Sequence, residues 1–228
     1  LYDGHHRKDD RTYGGVIKSF FYDEPGKPLE QTDGDGMIKK LIKNALREIY
    51  WAYHGMGLKN PLLPVSPKSI LYVCKGNICR SPFAERLTQK MIGNGADAIL
   101  TIRSAGIDAT ATNPPPEEAI DSAKNLGISM VDHRAQRLTR ELIGGSDMIV
   151  VMEEEHRRRL EEAHPGSKDK CFLLSMFSHD QRRWGGYYFC YNIEDPYGKN
   201  KDNYLLCYEK ITICVNNLLS EIGLKCSN

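Results

Sequence analysis

The chain has no apolar run approaching the ~20 residues needed to span a bilayer, so no transmembrane helix is expected. It has no surplus of either charge, because 31 Lys and Arg stand against 30 Asp and Glu, for a net charge of +1. A surface that coats nucleic acid or anionic membrane needs a strong basic excess, so neither partner is expected. The cysteines, at 74, 79, 171, 190, 207, 214 and 226, are odd in number and follow neither a disulfide framework nor a zinc spacing. Disulfide-stapled secreted domains and structural zinc sites are thereby excluded, and reduced thiols in a cytoplasmic setting are predicted. No secretory signal is visible. Asp33-Gly34-Asp35-Gly36 lacks the third acidic position and closing glutamate of a calcium loop, and the adjacent His5-His6 pair is incidental. No metal or cofactor is expected.

What is there falls into two stretches. Residues 1–68 read as an N-terminal extension. Leu1 to Gly36 is polar and broken by Pro25 and Pro28, with an apolar island at Val16 to Tyr22 that suits one strand. Asp33 and Asp35 suit a helix N-terminus. An amphipathic helix is predicted over about 37–54, with Ile38, Leu41, Ile42, Ala45, Ile49 and Tyr53 at helical spacing and Lys39, Lys40, Lys43 and Arg47 largely elsewhere. Its apolar face is expected to dock intramolecularly on the domain that follows; docking to a partner or lying on a membrane surface are the alternatives. Residues 60–67, with three prolines, read as a stiff linker.

Residues 69–228 read as a separate α/β domain. Strands are predicted at 69–73, 99–103, 147–152 and 171–174, and helices at 82–93, 115–126, 153–163 and 202–222. Short buried strands alternating with amphipathic helices mean βαβ units and a Rossmann-like parallel sheet covered on both faces. Ligands of such sheets sit at the carboxyl ends of the strands.

At the end of the first of these strands lies Val73-Cys74-Lys75-Gly76-Asn77-Ile78-Cys79-Arg80-Ser81-Pro82. A cysteine and an arginine separated by five residues, between a strand and a helix, make a cradle for a tetrahedral oxyanion. Loop and helix N-terminal N–H groups converge there, and Arg80 can grip two oxygens through a planar fork. The same field favours the thiolate of Cys74, the form that attacks. Gly76 lets backbone approach a ligand, and Asn77 tolerates the left-handed conformation of a tight loop. Ser81 can donate to the sulfur when phosphate departs, and Pro82 suits a first helical turn. Lys75, Gly76, Asn77, Ile78, Cys79, Arg80 and Ser81 are therefore the candidate phosphate-binding loop.

On these residues the chain resembles the low-molecular-weight protein tyrosine phosphatases, over about 69–222. Ser104-Ala105-Gly106 is similar to that family's segment after the second strand, Asp147 to Met152 to its third strand, and Asp195-Pro196-Tyr197 to the loop that carries its general acid. The resemblance implies a four-stranded parallel sheet of order 2-1-3-4 and hydrolysis of phosphotyrosine through a phosphocysteine. It implies Cys74 as nucleophile, Arg80 as phosphate ligand, Asp195 as acid and His133 as a brace for Asn77. It also suggests Cys79 as a redox partner that traps an oxidised Cys74, against a space-filling role read from its size. Proteins carrying phosphotyrosine, a bacterial tyrosine kinase among them, are the implied partners.

Two further readings concern substrate. Trp184, Tyr187, Tyr188, Phe189, Tyr191 and Tyr197 can either wall a slot for a phosphotyrosyl ring or serve as core and turn filler. Lys75, next to the nucleophile, would favour acidic flanks. The rival functions are an arsenate reductase of the same fold and a non-catalytic phosphotyrosine-binding module. The reductase needs two further cysteines, yet none stands between Cys79 and Cys171. The binding module needs a lapse that Cys74, Arg80 and Asp195 do not show.

Overall fold

A computed structural model of the chain describes residues 34–93, 100–179 and 186–224, without the side chains of 34–37, 39 and 40. The island at Val16–Tyr22, His5-His6, Trp184 and Cys226 lie outside the described residues. The chain divides into two compact units, Leu1–Arg47 and Glu48–Asn228. The elements in order are α1 (Gly34–His54), β1 (Ser69–Cys74), α2 (Arg80–Ile92), β2 (Thr101–Gly106), α3 (Glu117–Asn125), α4 (Arg140–Gly144), β3 (Met148–Val151), α5 (Glu154–Ala163), β4 (Cys171–Leu173), α6 (Tyr187–Tyr191) and α7 (Lys201–Glu221).

The strands form one parallel sheet of order β2-β1-β3-β4, as expected. Strand β1 explains why its sequence is apolar without alternation. Ile70, Tyr72 and Cys74 enter one core with residues of α2, α3 and α7, while Leu71 and Val73 enter another with Ile143 of α4 and Leu160 of α5. Both faces are dry, so every β1 position from Ile70 to Cys74 is buried. The period of two places Cys74 on the face covered by α2 and α7. There Phe83 and Tyr208 stack at 3.9 Å.

Strand β2 lies later than the predicted 99–103. Its pairs run from Ser69–Thr101 to Cys74–Gly106, so Ser104-Ala105-Gly106 belongs to the strand and not to the segment after it. The prediction includes Thr101 to Arg103 and stops at Ser104, a polar residue that is nonetheless buried in the strand. The tight end of that pairing requires Gly106. A Cβ there would lie 2.7 Å from the Lys75 carbonyl oxygen and 2.8 Å from the Asn77 nitrogen.

The predicted helix at 37–54 forms, but its apolar stripe is not the buried face. Ile38, Leu41, Ile42, Ile49 and Tyr53 are each more than half exposed. The buried residue is Trp51, on the opposite side, which stacks on Tyr191 at 5.8 Å and meets Tyr188 edge-on. Gly55 lets Tyr191 come this close, since a Cβ would lie 2.0 Å from the ring. In the proline-bearing segment, Asn60 completes the open edge of β4. Its Nδ2 donates to the Leu173 carbonyl at 3.2 Å, and its Oδ1 accepts from the Leu173 N–H at 2.8 Å. Among the described residues no helix is long and apolar enough to cross a membrane.

Candidate active site

The loop 74–81 bridges the end of β1 and the start of α2, and Asn77 is its hub. Asn77 has φ +54°, a conformation that its short polar side chain tolerates, and each of its polar groups is bonded. Its N–H donates to Cys74 Sγ at 3.2 Å. Its carbonyl accepts from His133 Nε2 at 2.8 Å, which fixes that tautomer because a carbonyl can only accept. Its Oδ1 accepts from the Gln136 N–H at 2.8 Å, and its Nδ2 donates to Ser81 Oγ at 3.0 Å and Ser104 Oγ at 2.8 Å. Burial lowers the pKa of His133, so the ring is neutral and suited to bracing. Residues 135–138 come within reach because Gly106 bonds to Gln136 and Leu138 on either side.

Ser81 Oγ lies 3.0 Å from Cys74 Sγ. That oxygen accepts from Asn77, and its single proton has two acceptors in reach, the sulfur at 3.0 Å and the Ala105 carbonyl at 3.4 Å. The Asn77 N–H and the Ser81 hydroxyl thus both lie within hydrogen-bond distance of the Cys74 sulfur. Arg80 is 1% exposed. Its Nη1 bonds Glu153 and the Ile193 carbonyl (2.8 Å), and its Nη2 pairs with Asp195 at 2.7 Å. Burial opposes its charge, yet Glu153, Asp195 and Cys74 outweigh it and hold the guanidinium protonated. Its Nε is buried with no hydrogen-bond partner. A buried donor left unmet calls for a reason, and Arg80 lines a pocket.

Cys74, Lys75, Gly76, Ile78, Cys79, Arg80, Asp108, Asp195 and Tyr197 line a pocket of about 210 Å3. Lys75 is exposed at its rim. Asp108 is held below the usual carboxylate range by hydrogen bonds from Arg159, which grips both its oxygens at 2.7 Å. A larger cleft, about 330 Å3, is lined by Asn60 to Leu63, Met176, Phe177 and Glu221. It has no thiol, whereas the smaller pocket holds Cys74. Cys79 is buried in the loop; burial first, then Cys74 and Asp195, push its thiol up, so it stays protonated. All six described cysteines are free, and among the described residues no cluster of His, Cys, Asp or Glu could hold a metal.

The structure thus brings Cys74, Arg80, Asp195, Ser81, Cys79 and His133 into one neighbourhood. Among the described rings of the aromatic run only Tyr197 lines the pocket; Tyr188 and Tyr191 pack on Trp51, and Tyr187 is exposed. Sequence reasoning missed Glu153, whose signal was its place directly after β3, at the same edge of the sheet as Cys74. It also missed His156 behind it, 3.7 Å from the Glu153 carboxylate, which burial and the charge of Arg80 hold down at about 3.

Residues 69–228 match the family described as low molecular weight phosphotyrosine protein phosphatase. The chain belongs to that family and is a protein-tyrosine-phosphatase by membership. The protein-tyrosine-phosphatase Etp of Escherichia coli K12 is 34% identical over 134 residues, 59% of this chain and 80% of Etp. The tyrosine phosphatase Wzb of Escherichia coli K30, solved with sulphate, superposes with a TM-score of 0.58 at 29% identity, covering 69% of this chain and 99% of Wzb. The arginine phosphatase YwlE of Geobacillus stearothermophilus gives 0.58 at 28%, covering 68% of this chain and 92% of YwlE.

Proposed function

We propose that Cys74, Arg80 and Asp195 hydrolyse phosphotyrosine in proteins through a phosphocysteine. The observation that carries this is the Arg80 guanidinium, its Nε buried and unpartnered, in the same pocket as a sulfur that accepts from the Asn77 N–H and lies 3.0 Å from the Ser81 hydroxyl. The Cys74 thiolate attacks phosphorus in line, and the P–O bond to the tyrosyl oxygen breaks as Asp195 gives that oxygen a proton. Water then attacks the phosphocysteine while Asp195 takes its proton. The S–P bond breaks, phosphate leaves, and Ser81 donates to the returning thiolate. Loop N–H groups and Arg80 hold the equatorial charge. In the free enzyme Asp195 occupies Arg80 Nη2. An arriving phosphate dianion takes Nη2 and Nε together, and so releases Asp195 beside a fresh negative charge that favours its protonated form.

Phosphoarginine is the rival substrate raised by YwlE. Ile78 and Tyr197 make apolar walls that suit an aromatic ring. A guanidinium would need a free carboxylate, and both oxygens of Asp108 are held by Arg159. Phosphoserine is too short to reach the sulfur. A bacterial tyrosine kinase is one phosphoprotein of the class this pocket takes, the exposed face of α1 is available for docking, and a cytoplasmic setting suits a nucleophile that must stay reduced.

The test is kcat/KM on matched phosphotyrosine, phosphoserine and phosphoarginine peptides, with Cys74→Ser alongside. Turnover of phosphotyrosine alone is expected, falling by about 10^5 in the serine variant while the phosphopeptide still binds. Equal rates on phosphoserine, or a serine variant at the wild-type rate, would sink the proposal.

A further inference from the structure

Lys210, on α7, is 4% exposed. A buried ammonium is costly unless its hydrogens are used, and an aliphatic side chain would fill the same space without that cost. Its Nζ donates to two main-chain carbonyls, of Phe189 and, at 2.9 Å, of Asn192. It also sits 5.4 Å from the centre of the Phe189 ring. Burial pulls the ammonium down to about 8, against the thiols of Cys214, Cys190 and Cys207 and the carboxylate of Glu194 that favour its charge.

Those two carbonyls form the root of the segment that carries Asp195. Phe189 lies in the last turn of α6, and Asn192 ends that helix. The Asn192 side chain accepts from the Glu154 N–H at 3.0 Å and donates to the Tyr188 carbonyl at 2.9 Å. Ile193 bonds in both directions, to the Met152 carbonyl and from Arg80 Nη1, each at 2.8 Å. Past Ile193 the segment is held by side-chain ion pairs: Glu194 pairs with Lys199, and Asp195, about two-fifths exposed, with Arg80. A root fastened at its main chain thus carries a tip held by ion pairs, and the acid sits three residues beyond Asn192.

We propose that Lys210 is a positioning residue for the reaction: by tying the end of α6 to α7 it sets the reach of Asp195 over Cys74. This rests on the reading of Asp195 as general acid. Without the ammonium the Phe189 and Asn192 carbonyls lose their partner, the root loosens, and proton delivery suffers before phosphate binding does.

The experiment compares phenyl phosphate, whose leaving oxygen needs a proton, with p-nitrophenyl phosphate, whose leaving oxygen needs far less. In Lys210→Met of the full chain, kcat/KM for phenyl phosphate is expected to fall roughly 10- to 100-fold, with p-nitrophenyl phosphate within about threefold and inhibition by inorganic phosphate unchanged. Lys210→Gln, which keeps a donor nitrogen without the charge, should fall between. Asp195→Asn should show the same selectivity more strongly, and adding Lys210→Met to it should cost nothing further. Equal loss on both esters, or no loss on either, overturns the role of Lys210. An Asp195→Asn variant without selectivity overturns the acid itself, a distinct failure. Should Lys210→Met not fold, Lys210→Gln and Asn192→Ala loosen the same root, and either must show the selective loss for the proposal to stand.

Discussion

Asn77 and Ile49 lie in stretches whose patterns are equally plain in sequence, a Cys-x5-Arg loop and an amphipathic helix. In the loop every polar group of Asn77 meets a partner, drawn from the loop itself, β2 and the 133–136 segment. In α1 Ile49, on the apolar stripe, is 66% exposed, and among the described residues of the helix the buried one is Trp51, on the other side. A motif that encodes chemistry names its own partners, because each donor needs a particular acceptor. Amphipathic spacing names only a face, and apolar contact is non-directional, so the pattern cannot say what covers it.

The largest test falls on the loop. Asn77→Ala removes both side-chain bonds from Nδ2 and the one to Oδ1, and leaves a residue with a Cβ at φ +54°. A loss of about 3 kcal/mol is expected in denaturant unfolding, with kcat/KM down about 100-fold. Asn77→Gly removes the same bonds but relieves the backbone, so its stability should lie between alanine and wild type. If both variants behave like wild type, the loop is no more specified than the helix and the contrast fails.

Trp51 probes the side of α1 that is buried. Trp51→Ala deletes an indole packed on Tyr188 and Tyr191 and is expected to cost about 3 kcal/mol, with kcat/KM for a small aryl phosphate unchanged. A cost below about 1 kcal/mol would mean that neither side of α1 matters to the fold.

The third test asks how far the ordered surroundings of the loop extend. His156, 4% exposed, is held at about 3 against an ordinary histidine value of 6.5. Above pH 6.5 both folded and unfolded chains carry it neutral. As pH falls below 6.5 the unfolded chain binds a proton that the folded chain refuses, so stability is lost, by about 2 kcal/mol between pH 7 and 5. His133, also lowered, acts in the same direction, and Glu85, raised by burial, acts in the opposite one. Both remain in His156→Gln, so the difference between the two pH profiles isolates His156. Parallel profiles would show that the ring is already solvated.

What was legible follows the same division. β1, the loop and the start of α2 could be read because a doubly buried strand is continuously apolar and the residues after it are few and chemically distinctive. Asp195 was legible through family resemblance; a turn aspartate before proline has no signature of its own. Lys210 was illegible because a lysine in an amphipathic helix reads as solvated, and only the carbonyls of Phe189 and Asn192, set by the tertiary fold, give it a place. The aromatic run around α6 left two readings open, a slot or core filler, for a related reason. Ring-rich sequence looks like a binding slot whether the rings face a ligand or, as Tyr188 and Tyr191 do, Trp51.

The smallest effect carries the sharpest question. Ile49 is 66% exposed, so Ile49→Ser removes little contact and adds a hydroxyl that water can serve. Stability should move by no more than about 0.5 kcal/mol, and kcat/KM should not move. Serine is also a weaker helix former than many residues but close to isoleucine, so propensity cannot mask a change. A loss near that of Trp51→Ala would mean that the stripe is covered in solution. If that loss grew on dilution, the cover would be a second copy of the chain; if it held constant, the cover would be part of the same molecule. Either result would move Ile49 to the side of the comparison where Asn77 stands.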